Sequence, residues 1–229
     1  MIPQDLASVS PALTRYARDT LLFGLWKRPG LSRRDRAVIT VAALIARNQA
    51  GELPFYMNYA LDHGVQPREL SEIITHLSFY AGWGNGITAA QVAAKIFAER
   101  SIGADQLPPA SPSLLPIDQA AEDRRARTVE ETVGSVSPGL VKDTGEVLFR
   151  DLWRRPDLAA RDRSMVTVVA LISNGQVQQM PFHLSRAMDN GLSRDEASEL
   201  VSHVAYYAGW PAAFSSVSVV KGVFDAARK

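Results

Sequence analysis

The amino-acid sequence predicts an all-helical protein built as a tandem duplication, and three observations carry that prediction. Adding 127 to a residue number in the first half reaches its counterpart in the second without a gap: Trp26 and Trp153, Arg36 and Arg163, His76 and His203, Trp83 and Trp210. Over residues 25–97 and 152–224, 29 of 73 aligned pairs are identical, against a chance level of roughly 6 per cent set by ordinary residue usage. Apolar residues recur at three- and four-residue spacing in both halves, and no stretch alternates like a strand between hairpin turns. Two helical lobes packed about a pseudo-two-fold axis, an internal version of a homodimer, are therefore expected. The first lobe is expected over 1–100, a Pro- and Ser-rich linker over 101–117 and the second lobe over 118–229.

Ser10-Pro11 caps a first helix whose Leu13, Tyr16, Ala17, Leu21 and Leu22 lead to about Trp26. Pro29-Gly30 breaks it, and Ser32 is an N-cap with Asp35 in the first turn, suited to the helix dipole. The helix that follows, to about Arg47, is apolar on nearly every side from Ala37 to Ile45, which marks a buried central helix. A third helix spans 52–63 and ends at Gly64. Pro67 opens a fourth, with Leu70, Ile73, Ile74, Leu77 and Tyr80 on one face and an end at Gly82. A fifth covers 85–100. The polar stretch 117–133, dense in Arg and Glu, has no counterpart in the first copy and reads as an exposed, solvated helix. From Ser137-Pro138 the five helices repeat.

Composition narrows the function. With 46% hydrophobic and 21% charged residues, the 229-residue chain reads as an ordinary globular protein with room for a sizeable core. Lys plus Arg (25) nearly cancel Asp plus Glu (24), so no charge excess points to nucleic acid or an anionic membrane. Cysteine is absent, which removes thiolate nucleophiles, disulfides and thiolate metal sites. Met1-Ile2-Pro3-Gln4-Asp5 lacks the pattern of a secretory leader, and no run of about 18 uncharged apolar residues follows. The expected location is cytoplasmic.

Leu-Trp-x-Arg-Pro, Arg-Asp-Arg before an apolar Thr-Val-x-Ala-Leu-Ile helix, Pro-Phe-His, and His-x-x-x-Tyr-Ala-Gly-Trp occur in that order. Together they resemble the carboxymuconolactone decarboxylase family, grouped with the alkylhydroperoxidase D-like fold. The resemblance implies an all-helical ring assembly, commonly a hexamer of single-lobe subunits. A two-lobe chain would form the same ring as a homotrimer. The redox branch of that superfamily carries Cys-x-x-Cys shortly before a His. The matching positions here are Gln49, Glu52 and Tyr56 in the first copy and Gln176, Gln179 and His183 in the second, so a thiol peroxidase is excluded.

Candidate chemistry rests on four histidines. His63 precedes Gly64 and reads as a helix-end residue. His76 and His203 each follow a glutamate (Glu72, Glu199) and precede a tyrosine (Tyr80, Tyr207) by four positions, so a carboxylate could orient the imidazole and raise its basicity. General acid-base catalysis and a shared structural role both fit that pattern. His183 replaces Tyr56 and would share a helix side with Gln176 and Gln179 if the helix starts early enough, which favours the second copy as the working lobe. Arg36 and Arg163 start the most apolar helices and each needs an anion, either a carboxylate such as Glu72 or Glu199 or an anionic substrate. Trp83 and Trp210 wall a pocket or pack between subunits. Glu52 with Tyr56, His76 and Arg36 is a possible second site, or simply a helix-start carboxylate beside a packing tyrosine.

No short His spacing suggests a metal, and no phosphate loop, nucleophile elbow or dinucleotide fingerprint is present. The expected function is a cofactor-free lyase for a small cyclic carboxylic acid or lactone, most simply a decarboxylase. His183, His203 and Glu199 are its expected catalytic groups, and Arg163, Gln176, Gln179, Tyr207 and Trp210 its expected substrate contacts. An isomerase, cyclase or dehydratase of a polyketide-like or aromatic metabolite, or a non-catalytic binding or assembly protein, are the alternatives.

Overall fold

The computed structural model describes residues 5–227. The first four residues of the leader reading, 1–4, lie outside that span. Among the described residues there is no strand. The chain begins with α1 (Leu6–Val9) and α2 (Pro11–Arg15), which widens into π-helical turns over Tyr16–Leu22 and ends in a 3-10 turn, Leu25–Lys27. The single first helix expected to about Trp26 is thus broken. None of its residues before Leu25 is buried, so no tertiary packing holds it in one register.

Then follow α3 (Arg33–Ala46), α4 (Leu53–Asp62), α5 (Pro67–Tyr80) and α6 (Trp83–Glu99). Helix α7 (Gln119–Val133) lies between the copies. The second copy repeats the first: α8 (Pro138–Asp143) with π turns over Thr144–Phe149 and a 3-10 turn Leu152–Arg154, then α9 (Ala160–Ser173), α10 (Met180–Asp189), α11 (Arg194–Ala208) and α12 (Trp210–Ala226). Local signals set these boundaries. Ser32 Oγ accepts the Asp35 N–H at 3.0 Å, and Gly82 and Gly209 take φ of 102° and 97° to turn the chain into the next helix.

Helices α3 and α9 are buried almost throughout and pack on one another at the centre. Their sequences are apolar on most sides because both are enclosed by other helices, and the polar residues they do bury, Arg36 and Thr40 in one and Arg163 and Thr167 in the other, are held by hydrogen bonds. The lobes then exchange partners: α11 packs on α3, and α5 on α9. One continuous apolar core therefore includes residues of both copies. At the N-terminal ends of α3 and α9 the Arg-Asp-Arg motifs cross. Arg34 reaches Asp162 at 2.7 Å, and Arg161 reaches Asp35 at 3.0 Å. Asp35 and Asp162 thus join the copies as well as suiting their own helix dipoles.

The 101–117 segment is tied down rather than loose. Arg155 donates to the carbonyls of Ala110 (2.9 Å) and Pro109 (3.1 Å), and the Leu115 N–H donates to the Arg154 carbonyl. Helix α7 departs from the expected solvated face. Most of it is exposed, but Glu122 is buried and Arg125 packs inward with it. No helix among the described residues is long and apolar enough to cross a membrane.

Candidate functional site

Two pseudo-equivalent clusters form where the lobes exchange helices. In one, Arg36 of α3 is fully buried and meets residues of α11: its Nη2 donates to Glu199 Oε1 at 2.9 Å, and its Nη1 lies 3.1 Å from His203 Nδ1. A guanidinium only donates, so His203 Nδ1 accepts. The proton then sits on Nε2, 2.8 Å from Thr40 Oγ1. In the other, Arg163 of α9 donates to Glu72 Oε2 at 3.0 Å and faces His76 Nδ1 at 3.4 Å, with His76 Nε2 2.7 Å from Thr167 Oγ1. The Arg-Pro motifs supply the remaining support. The carbonyls of Arg28 and Arg155 accept from Arg36 and Arg163, and Arg155 Nε also bonds Glu72 at 2.8 Å.

These contacts correct several expectations. Each glutamate grips the arginine of the opposite copy rather than its own helix's imidazole, so it does not raise that imidazole's basicity. Burial first, and the neighbouring arginine second, pull His203 down to about 3 and hold His76 well below its ordinary value. Both are neutral imidazoles with both nitrogens engaged. Arg163 is 1% exposed and held by Glu72, and it does not line the cleft described below. Of the two anions weighed for Arg36 and Arg163, the structure places the carboxylate there.

His183 and His203 do not share a site. His203 packs with Trp26 and Tyr207, and Tyr207 donates to Tyr56 at 3.1 Å while accepting from Trp26 Nε1 at 2.8 Å. His183 stacks on Trp153, with ring centroids 5.4 Å apart, and meets the edges of Tyr80 and Phe182. Trp153 Nε1 donates to Tyr80 Oη at 2.9 Å. Gln176 and Gln179 are exposed in the turn before α10, because that helix starts only at Met180. Trp210 is 52% exposed and packs on Tyr206. Glu52 is exposed, and His63 stacks on Tyr59 at the end of α4.

What distinguishes the second cluster is polarity left unsatisfied. His183 Nδ1 is buried without a hydrogen-bond partner. Burial and, secondarily, the Arg186 charge pull this imidazole down to about 4. The Arg186 guanidinium lies 4.5 Å over the Trp153 ring, forms no ion pair within 4 Å among the described residues, and is lowered chiefly by burial, against the opposing pull of Tyr80 and Glu122. In the first copy the same two positions are Tyr56 and Tyr59, and Tyr56 is already hydrogen-bonded.

A cleft of about 840 Å³ opens beside this cluster, walled by Trp153, Phe149, Phe182, Arg186 and, from α7, Arg125 and Glu122. His183 is set back behind Trp153 and Phe182. The arrangement can bind a small anion against apolar walls and exchange a proton with it. Among the described residues no group of three or more His, Asp or Glu is placed to hold a metal ion. Sequence reasoning missed Arg186, Arg125 and Phe149. Arg186 was detectable as a cation replacing Tyr59 one turn after the His183 substitution.

The chain matches the model of the carboxymuconolactone decarboxylase family over residues 12–95 and again over 138–222. It is 35% identical over 74 residues to a 4-carboxymuconolactone decarboxylase of Acinetobacter baylyi, a stretch covering 32% of this chain and 55% of that protein. It is 32% identical over 83 residues to a nitrosuccinic acid decarboxylase of Metarhizium robertsii, covering 36% of this chain and 55% of that one. The chain thus spans about half the length of these relatives. The duplicated helical lobes and the two family matches that coincide with them establish that the chain belongs to the carboxymuconolactone decarboxylase family.

Proposed function

We propose that this chain is a decarboxylase working at the second-copy cleft on a small cyclic carboxylic acid or lactone. The observation that carries this reading is the placement of Arg186, a half-buried guanidinium with no ion pair among the described residues, three positions after His183, a buried imidazole whose Nδ1 has no hydrogen-bond partner there, beside an open cleft with aromatic walls. The two decarboxylases that it resembles support the reaction class.

Arg186 holds the substrate anion. The bond to the carboxylate carbon breaks, carbon dioxide leaves, and the electron pair moves onto a conjugated carbonyl oxygen of the substrate, giving an enolate without a cofactor. Phe149, Trp153 and Phe182 strip water from the carboxylate, while the Arg186 charge favours the enolate. His183, neutral in the free protein, takes up a proton as the bound anion offsets the Arg186 charge, and delivers it to carbon past Phe182. His76 and His203 position the crossed arginines and do not touch substrate.

The assembly proposed is a homotrimer of two-lobe chains. Its support is a pair of equivalent exposed patches, Trp83 with Ile87 and Trp210 with Phe214, each more than half or about half exposed.

The test is carbon dioxide release from 4-carboxymuconolactone and from nitrosuccinate by the purified chain, with His183→Ala and Arg186→Gln in parallel. Release by the parent, with loss in both variants at unchanged circular dichroism, supports the reading. Release undiminished in both variants removes this cleft as the site.

A further inference from the structure

Helix α7 belongs to neither copy and the reaction above does not use it, yet it sends two charged side chains into the wall of the cleft. Glu122 grips Arg125 through two bonds, Oε2 to Nε at 2.8 Å and Oε1 to Nη2 at 2.7 Å. The Arg125 carbon Cζ sits 4.2 Å over the Phe149 ring, and Phe149 in turn stacks on Trp153 at 5.9 Å. The side chain is 10% exposed, and its third nitrogen, Nη1, is buried with no hydrogen-bond partner. Buried donors without acceptors are rare in folded proteins. Here the fork is locked on two of its three nitrogens, so the third is aimed with little rotamer freedom left to lose.

The charge balance indicates which acceptor suits it. Arg125 is neutralised by the carboxylate that orients it, and Arg150, more than half exposed and 3.9 Å away, adds only a weak field at Glu122. Arg186 has no hydrogen-bonded ion pair among the described residues and feels Glu122 only at longer range. Arg125, Arg154 and Arg186 line the cleft together with Asp118, Glu122 and Asp189, so its formal charges balance, and Arg125 adds from a different helix one directed donor already paired with a carboxylate.

Resting on the proposed decarboxylase site, we infer that Arg125 Nη1 is a specificity-determining anchor that selects carboxylates carrying an additional, uncharged oxygen acceptor, such as a ketone, ester or lactone carbonyl. Arg186 takes the carboxylate and Arg125 takes the carbonyl. The helix inserted between the copies would thereby give this chain a discrimination that neither copy carries alone.

Calorimetric binding of four aryl carboxylates tests this: benzoate, 3- and 4-acetylbenzoate as the neutral-acceptor pair, and terephthalate as the dianion. The parent is expected to bind one acetylbenzoate about tenfold more tightly than benzoate, the gain from a hydrogen bond to a charged donor. Arg125→Lys keeps a cation for Glu122 but loses the fork, and should bring that ratio to about one. The pair Glu122→Gln with Arg125→Gln, which leaves no lone buried charge, should do the same. Equal binding of benzoate and both acetylbenzoates, still abolished by Arg186→Gln, overturns this inference and leaves the site intact. A tenfold preference for terephthalate overturns it in favour of a second anion. No binding by any probe, or binding indifferent to Arg186→Gln, overturns the site and the inference together.

Discussion

Acid should unfold this protein through its buried histidines, and the size of the effect follows from their surroundings. His203 is held down to about 3 and His183 to about 4, and His76 well below its ordinary value, all chiefly by burial. In the unfolded chain each returns to about 6.5. Between those values the unfolded state binds protons that the folded state refuses, so stability is complete above about pH 6.5 and falls as pH drops through the window toward 4. Each group contributes about 1.4 kcal/mol per pH unit there. For His183 and His203 together, acidification from pH 7 to 5 should remove about 4 kcal/mol, with His76 acting in the same direction, a large part of a typical domain stability of about 5–15 kcal/mol. Urea unfolding followed by circular dichroism at pH 7, 6 and 5 measures it. A His203→Gln variant, less stable at pH 7, should show a clearly shallower slope than the parent. A free energy of unfolding that changes by less than about 1 kcal/mol between pH 7 and 5 would refute the reasoning, because buried neutral imidazoles could not then exist.

Other consequences can be measured separately. Glu72→Gln leaves Arg163, 1% exposed, without its carboxylate, and should cost about 3–5 kcal/mol in urea unfolding; Glu72→Leu with Arg163→Met should cost clearly less, and equal costs would mean the pair is not a buried charge pair. Gln176→Ala and Gln179→Ala, at exposed positions, should leave any carbon dioxide release and the urea midpoint unchanged, and a tenfold loss of release would return these amides to the site. Light scattering should give a mass of about three times the 25.0 kDa chain, with Trp83→Glu and Trp210→Glu together reducing it to one chain; a parent that is already monomeric removes the trimer.

The duplication, the all-helical class and the central place of α3 and α9 were written in the sequence, since helical periodicity and a strict repeat are local properties of a chain. Proline, glycine and serine punctuation placed the helix ends within a few residues, and Ser32 and Gly82 act there as their chemistry requires. The family, too, was legible, because Arg-Asp-Arg and Tyr-Ala-Gly-Trp recur in order. Which copy's glutamate would meet which copy's arginine was not legible. Arg36 bonds Glu199 and Arg163 bonds Glu72 only because α5 and α11 cross to the opposite central helix, and helical spacing says nothing about partners on another helix. The same crossing separates His183 from His203. It also buries both imidazoles of the crossed clusters, which turns two candidate bases into neutral supports. Position 183 could be singled out by comparing the copies, and Arg186 lies one turn on along the same helix, but the place of Arg125 from the inserted helix in the wall of the same cleft exists only in the packed structure. An unpaired donor is a property of what surrounds it, and that is decided by tertiary structure.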